Sequence, residues 1–246
     1  MTVALAVQVT AFGLSVLFAL LRLPGALRGR NRGVFASMVL IALTMGLSLG
    51  GIYTEVDGWL GGRNVANLVL RLCIYAVFVL LGVKAAAAFG ARWARKLIVG
   101  PVGLAVLGLT VGLTVYFFVM SDLPVSSVGL QAYEKQLTVQ SYASLGRLYP
   151  GYVAACLCVP ALLVAANPRL QALRRIGAGL LGIGLVLVVA FSVLQEVVYL
   201  GVYTALVPFT AVILVTLGLT AMWVSHLRQR RRPPQNLLAE SYRNVS

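Results

Sequence analysis

Apolar residues in this chain run in long blocks. Seven of them, 2–23, 34–53, 65–89, 97–120, 142–166, 176–200 and 202–226, follow one another, each parted from the next by a short polar or basic segment. A helix rises 1.5 Å per residue and the bilayer hydrocarbon is about 30 Å thick, so a span needs roughly 20 such residues. The pattern predicts an all-α fold, a polytopic bundle of seven transmembrane helices over residues 1–226 with a basic tail at 227–246. No connection is long enough for a soluble domain. The first block lacks a basic leading region and a small-residue cleavage site, so it reads as a retained helix. The connection 121–141 is expected to form a lid or a short interfacial helix, and the turn at Gly201 must be tight. Were the last two blocks a single re-entrant pair, the count of spans would change.

Composition sharpens this picture. The chain is 60% hydrophobic and 11% charged, with mean hydropathy +0.94; soluble domains carry about 25% charged residues. The net charge of +14 does not point to nucleic acid, because the cations sit between apolar blocks, where orientation signals belong. Arg22, Arg28, Arg30, Arg32, Arg92, Arg95, Lys96, Arg169, Arg174 and Arg175 fall on one set of connections, and five more arginines on the tail. The opposite loops hold Arg63 and Lys135 beside Glu55, Asp57, Asp122 and Glu134. The bias places the N-terminus outside and the C-terminus in the cytoplasm of a plasma-membrane protein, with anionic lipid at the cytoplasmic face as an expected partner.

Gly46 and Gly50, Gly108 and Gly112, and the run Gly177, Gly179, Gly182, Gly184 have the spacing that lets helix backbones approach closely. Packing within one bundle is favoured over a dimer face. Pro150, Pro160 and Pro208 fall within spans and are expected to kink them and open space between helices. Cys73, Cys156 and Cys158 lie inside spans and read as small apolar residues, with no disulfide framework or metal site.

Four charges lie within the predicted spans: Arg71, Lys84, Arg147 and Glu196. Lys84 is close enough to a helix end to snorkel. The other three, counted from their outer helix ends, lie roughly 7–10 Å deep. Charges facing lipid are costly, so they are expected to face one another, with Glu196 the counter-charge of Arg71, Arg147 or both. Two cations against one carboxylate leave a surplus positive charge, which an anionic ligand would satisfy through the planar arginine fork. Asn67, Arg71 and Tyr75 share one helix face, Gln195, Glu196 and Tyr199 cluster within about a turn, and Tyr149 lies at similar depth. These eight residues form the expected ligand pocket. A structural ion pair that sets helix register is the competing reading.

The residues argue against several chemistries. No lysine lies in the last span to carry a Schiff base, no span holds an aspartate for proteolysis, and the only histidine, His226, marks a helix end. No HExxH, paired CxxC or phosphate-binding loop is present. No enzyme activity and no cofactor are expected.

The stretch EVDGWLGGRNVANLVLRL, with Asp57, Leu60, Gly61, Asn64 and Leu68, resembles a family of seven-helix integral membrane proteins of actinobacteria, many of them labelled transporters. Trp59 and the doubled Gly61-Gly62 depart from that pattern. The resemblance implies topology and carries over no catalytic residue. Read physically, the glycines permit a tight turn, Trp59 and Leu60 anchor at the interface, and Asn64 caps the third span. The favoured function is a small receptor, sensor or ligand-binding protein with an outer polar pocket for an anionic or amphiphilic ligand. A transporter with Glu196 as its coupling carboxylate and a non-catalytic accessory subunit are the alternatives. The tail and the glycine faces are the surfaces on which a cytoplasmic or membrane protein partner would dock.

Overall fold

The computed structural model describes residues 3–29, 32–198, 201 and 203–230. These are helical with no strand among them: α1 (Val3–Leu27), α2 (Arg32–Leu47), α3 (Gly50–Trp59), α4 (Val65–Ala88), α5 (Arg92–Val99), α6 (Pro101–Met120), a 3-10 turn (Val128–Tyr133), α7 (Leu137–Ala166), α8 (Ala172–Val197) and α9 (Tyr203–Arg230). Six helical segments, α5 and α6 taken together as one, are long and apolar enough to cross a membrane; there are seven if the bent pair α2–α3 is one span.

That bend corrects the second predicted span, 34–53. The helix stops at Leu47 and turns by 96° into α3. Leu49 is extended (φ −80°, ψ 123°). The cause is tertiary: the Gln8 side-chain amide of α1 donates to the Ser48 carbonyl and, at 2.9 Å, to the Ser48 hydroxyl. A carbonyl freed by a helix end needs such a partner where water is scarce. The fourth predicted span, 97–120, lies within one candidate span, Arg92–Met120, whose helix is interrupted at Gly100. Gly100 is extended and Pro101 opens α6 at its first turn, where a missing N–H is harmless. The last two blocks are separate helices, joined by a turn in which Gly201 has φ 52°.

Helices α1, α2, α4, α7, α8 and α9 form a closed ring, each packed on the next and α9 on α1; α6 lies outside, against α4 and α7. The expected glycine packing is found on α8 and α9. A Cβ on Gly218 would lie 2.7 Å from the Gly177 carbonyl oxygen, and one on Gly184 would lie 3.1 Å from that of Ala211. Gly46 lies against Phe12, whereas Gly108 and Gly112 face open space. The described carboxylates, Glu55, Asp57, Asp122, Glu134 and Glu196, gather at one end of the ring, where α4 and α7 begin and α8 ends.

Arg22 departs from its reading as a loop cation. It lies inside α1, 7% exposed, its guanidinium 5.1 Å from the Trp223 ring centre and donating to the Leu219 carbonyl at 3.0 Å. The chain continues helically past it, through Pro24, to Leu27. Helix α9 likewise extends beyond residue 226, to Arg230, and residues 231–246 of the predicted tail lie outside the described residues.

Candidate functional site

Arg71 and Glu196 both meet α7 within residues 143–147, Arg147 among them, but the three divide into two groups around it. Successive residues on a helix are about 100° apart, so neighbours in sequence face different partners. Ser144 and Arg147, three apart, face α8. Arg147 holds Glu196 through both Nη2 (2.7 Å) and Nε (3.1 Å) to the same carboxylate oxygen. Ser144 donates to the other oxygen at 2.7 Å, and Ser192 donates to the Arg147 carbonyl at 2.9 Å. The side chains of Arg147 and Glu196 are 22% and 33% exposed. Partial exposure weakens such a pair, so Glu196→Gln is expected to lower stability by about 1 kcal/mol or less. A double-mutant cycle with Arg147→Gln, read by thermal melting, measures the coupling.

Tyr142, Gly146 and Tyr149 lie on the other face of α7, against α4. Arg71 packs there, its guanidinium 4.2 Å from the Tyr142 ring centre, with Nη1 donating to the Ala143 carbonyl at 3.4 Å. Gly146 makes this possible: a Cβ there would lie 1.2 Å from Arg71 Nη1. The Arg71 Nε and the Tyr149 hydroxyl are buried without a hydrogen-bond partner among the described residues. Nor does any described carboxylate lie within 4.0 Å of the Arg71 guanidinium. So Glu196 serves Arg147, and Arg71 is the surplus cation.

The remaining predicted residues divide between these faces. The Tyr142 hydroxyl donates to Asn67 Oδ1 at 2.9 Å, which fixes the ring on which Arg71 lies. Tyr75 pairs its hydroxyl with Thr114 of α6 at 2.9 Å and meets the Tyr149 ring edge-on at 5.3 Å. Gln195 accepts from Thr204 at 3.5 Å, away from Arg71. Tyr199 lies outside the described residues. Tyr142, which is outside the expected set of eight, stands five residues before Arg147 at the mouth of the same helix.

Asp57 is outside that set as well. It stands in a predicted loop, yet it is fully buried. Its Oδ2 accepts from the Asn64 amide at 2.9 Å and from the Ser126 hydroxyl, and its Oδ1 accepts from the Ala66 amide at 3.0 Å. Asp57 therefore caps α4, correcting the expectation that Asn64 does so. Asn64 instead adopts a left-handed conformation (φ 60°), and its fully buried side chain bonds to α3 and to the 121–136 connection. Its Nδ2 donates to the Val125 carbonyl at 2.8 Å, and its Oδ1 accepts from Tyr53 at 2.9 Å and the Ser127 amide at 2.7 Å. The connection 121–136 is thereby tied down over the start of α4 and contains a short 3-10 helix, Val128–Tyr133.

No group of three or more potential metal ligands occurs among the described residues. No protein-family model, curated protein or solved structure matches the chain.

Proposed function

We propose that this chain is a multi-pass plasma-membrane protein, with its N-terminus outside and its C-terminus in the cytoplasm, that binds an anionic ligand at Arg71 and acts as a small receptor or sensor. One observation carries the reading. Arg71 is a half-buried cation with an unpartnered Nε and no carboxylate beside it, while the nearby Glu196 is already held by Arg147. An arginine so placed favours a carboxylate or phosphate, which accepts two parallel hydrogen bonds. Tyr142 and Asn67 orient it, and the Tyr149 hydroxyl stands beside the same helix face. The Arg147–Glu196 pair braces α7 on α8. Glu196 has three bonds at the end of α8, which supports this bracing part over the coupling part that a transporter would require. The orientation rests on the arginine bias of the connections.

Purified full-length protein would be melted with inorganic phosphate, acetate and a short-chain phosphatidate, beside Gly146→Ala and Arg71→Leu. A ligand that binds only the folded state adds about 2.7 kcal/mol at a hundredfold excess over Kd. At least one of these anions is expected to raise the wild-type melting point. Gly146→Ala keeps the charge but displaces the guanidinium, and it should lose that response while melting cooperatively. An anion response that survives in both variants would overturn the proposal, as would the absence of any response in the wild type.

A further inference from the structure

Inside the ring, where α4 faces α8 and α9, lies a wholly apolar cavity of about 70 Å³. Leu81, Ala85, Leu157, Leu185, Val215 and Leu219 are among its walls. At roughly 10–15 Å³ for each water-sized sphere, it accommodates about five to seven of them. Water needs two or more polar partners to settle in such a space, and these walls provide none. A short hydrocarbon chain suits them.

Arg22 is not one of these walls but bonds to the backbone of one. Leu219 lines the cavity, and its carbonyl accepts from Arg22. Arg22 is more than nine-tenths buried, its Nε has no hydrogen-bond partner, and no described carboxylate pairs with it. Lys84, next to the wall residue Ala85, lies at the same end of the bundle, with its Cε 2.9 Å from where a Cβ on Gly33 would stand. Every described carboxylate is at the opposite end of the bundle. A buried guanidinium with a free donor beside an apolar chamber is suited to a ligand with one anionic group and one short tail.

We infer that the ring holds a medium-chain monocarboxylate of about six to eight carbons, its chain between α4, α8 and α9 and its carboxylate at Arg22. This site is separate from Arg71 and does not depend on the reading given to Arg71.

Trp223 reports on it, because the Arg22 guanidinium lies over its ring. Trp59 and Trp93 are exposed and can be replaced by phenylalanine, which leaves Trp223 as the only tryptophan. The full chain in lipid nanodiscs would be titrated with 2-bromooctanoate, whose bromine lies beside the carboxylate and quenches a nearby indole. Saturable quenching is expected, reversed by octanoate and not by octylammonium or inorganic phosphate. Arg22→Gln and the cavity-filling Val215→Phe should each weaken binding at least tenfold, and Arg71→Leu should leave it unchanged. If Val215→Phe does not fold, the smaller Ala85→Val is read in its place, with the same loss expected. Quenching that rises linearly with probe, as for partition into lipid, would overturn the inference. So would equal competition by octylammonium, or full affinity in the filled cavity.

Discussion

Replacing Asp57 with alanine is expected to lower the stability of the folded chain by roughly 3 kcal/mol, because it strands two buried amides and a hydroxyl whose desolvation is then uncompensated. The amides of Asn64 and Ala66 open α4, and the hydroxyl of Ser126 anchors the 121–136 connection. Asp57 is fully buried, so these partners depend on its carboxylate within the folded chain. The loss should have a local signature beyond the global one. With the carboxylate gone, amide hydrogen exchange should quicken at Asn64, Ala66 and Ser127, while the α8–α9 pair stays protected. Asp57→Asn retains one acceptor oxygen and should lose about half as much. Thermal melting with exchange mass spectrometry checks both. An alanine variant that melts with the wild type would mean that the carboxylate is not what holds the connection.

Gly218→Ala should destabilise the bundle by about 2 kcal/mol, the middle of the range for overpacking a tight interface. The added methyl would meet backbone on both sides, 2.7 Å from the Gly177 carbonyl oxygen and 2.7 Å from the Leu181 amide nitrogen. Backbone cannot rotate away as a side chain can, so α8 and α9 must separate. Gly108→Ala is the internal comparison. Nothing lies within 4 Å of its Cβ position, and alanine is favoured over glycine within a helix by about 1 kcal/mol. It should therefore leave the melting point unchanged or raise it. The opposite signs of two identical substitutions, read in one melting experiment, separate close helix packing from intrinsic helix preference. Equal effects at both positions would contradict the backbone contact.

Several local features of the site could be read before any fold was known. Residue counting along the spans placed Arg71, Arg147 and Glu196 at similar positions along their helices, and all three come together at residues 143–147 of α7, because helical rise is fixed. Which cation holds the carboxylate was not legible. That depends on the rotational phase of α7, which turns Arg147 towards α8 and Gly146 towards α4, and on the absence of a side chain at Gly146 where the Arg71 guanidinium lies. Asp57 was hidden for another reason. In sequence it stands among polar and glycine residues, as a surface turn would, and its burial comes from Ser126, 69 positions away. The break after Leu47 was equally invisible, since LSLGG continues an apolar run and the side chain that ends the helix, Gln8, belongs to another element.

By itself the sequence determined that the chain is helical, that six or seven of its segments are long and apolar enough to span a membrane, and that its cations fall mostly on one set of connections. Each follows from properties of a segment alone: its length, its hydropathy and its charges. Only the tertiary structure decided the ring of six helices, the cavity inside it, the pairing of Glu196 with Arg147 and the burial of Asp57 and Arg22. These depend on which faces of separate helices meet, and helix phase and contact between distant residues arise only when the segments pack.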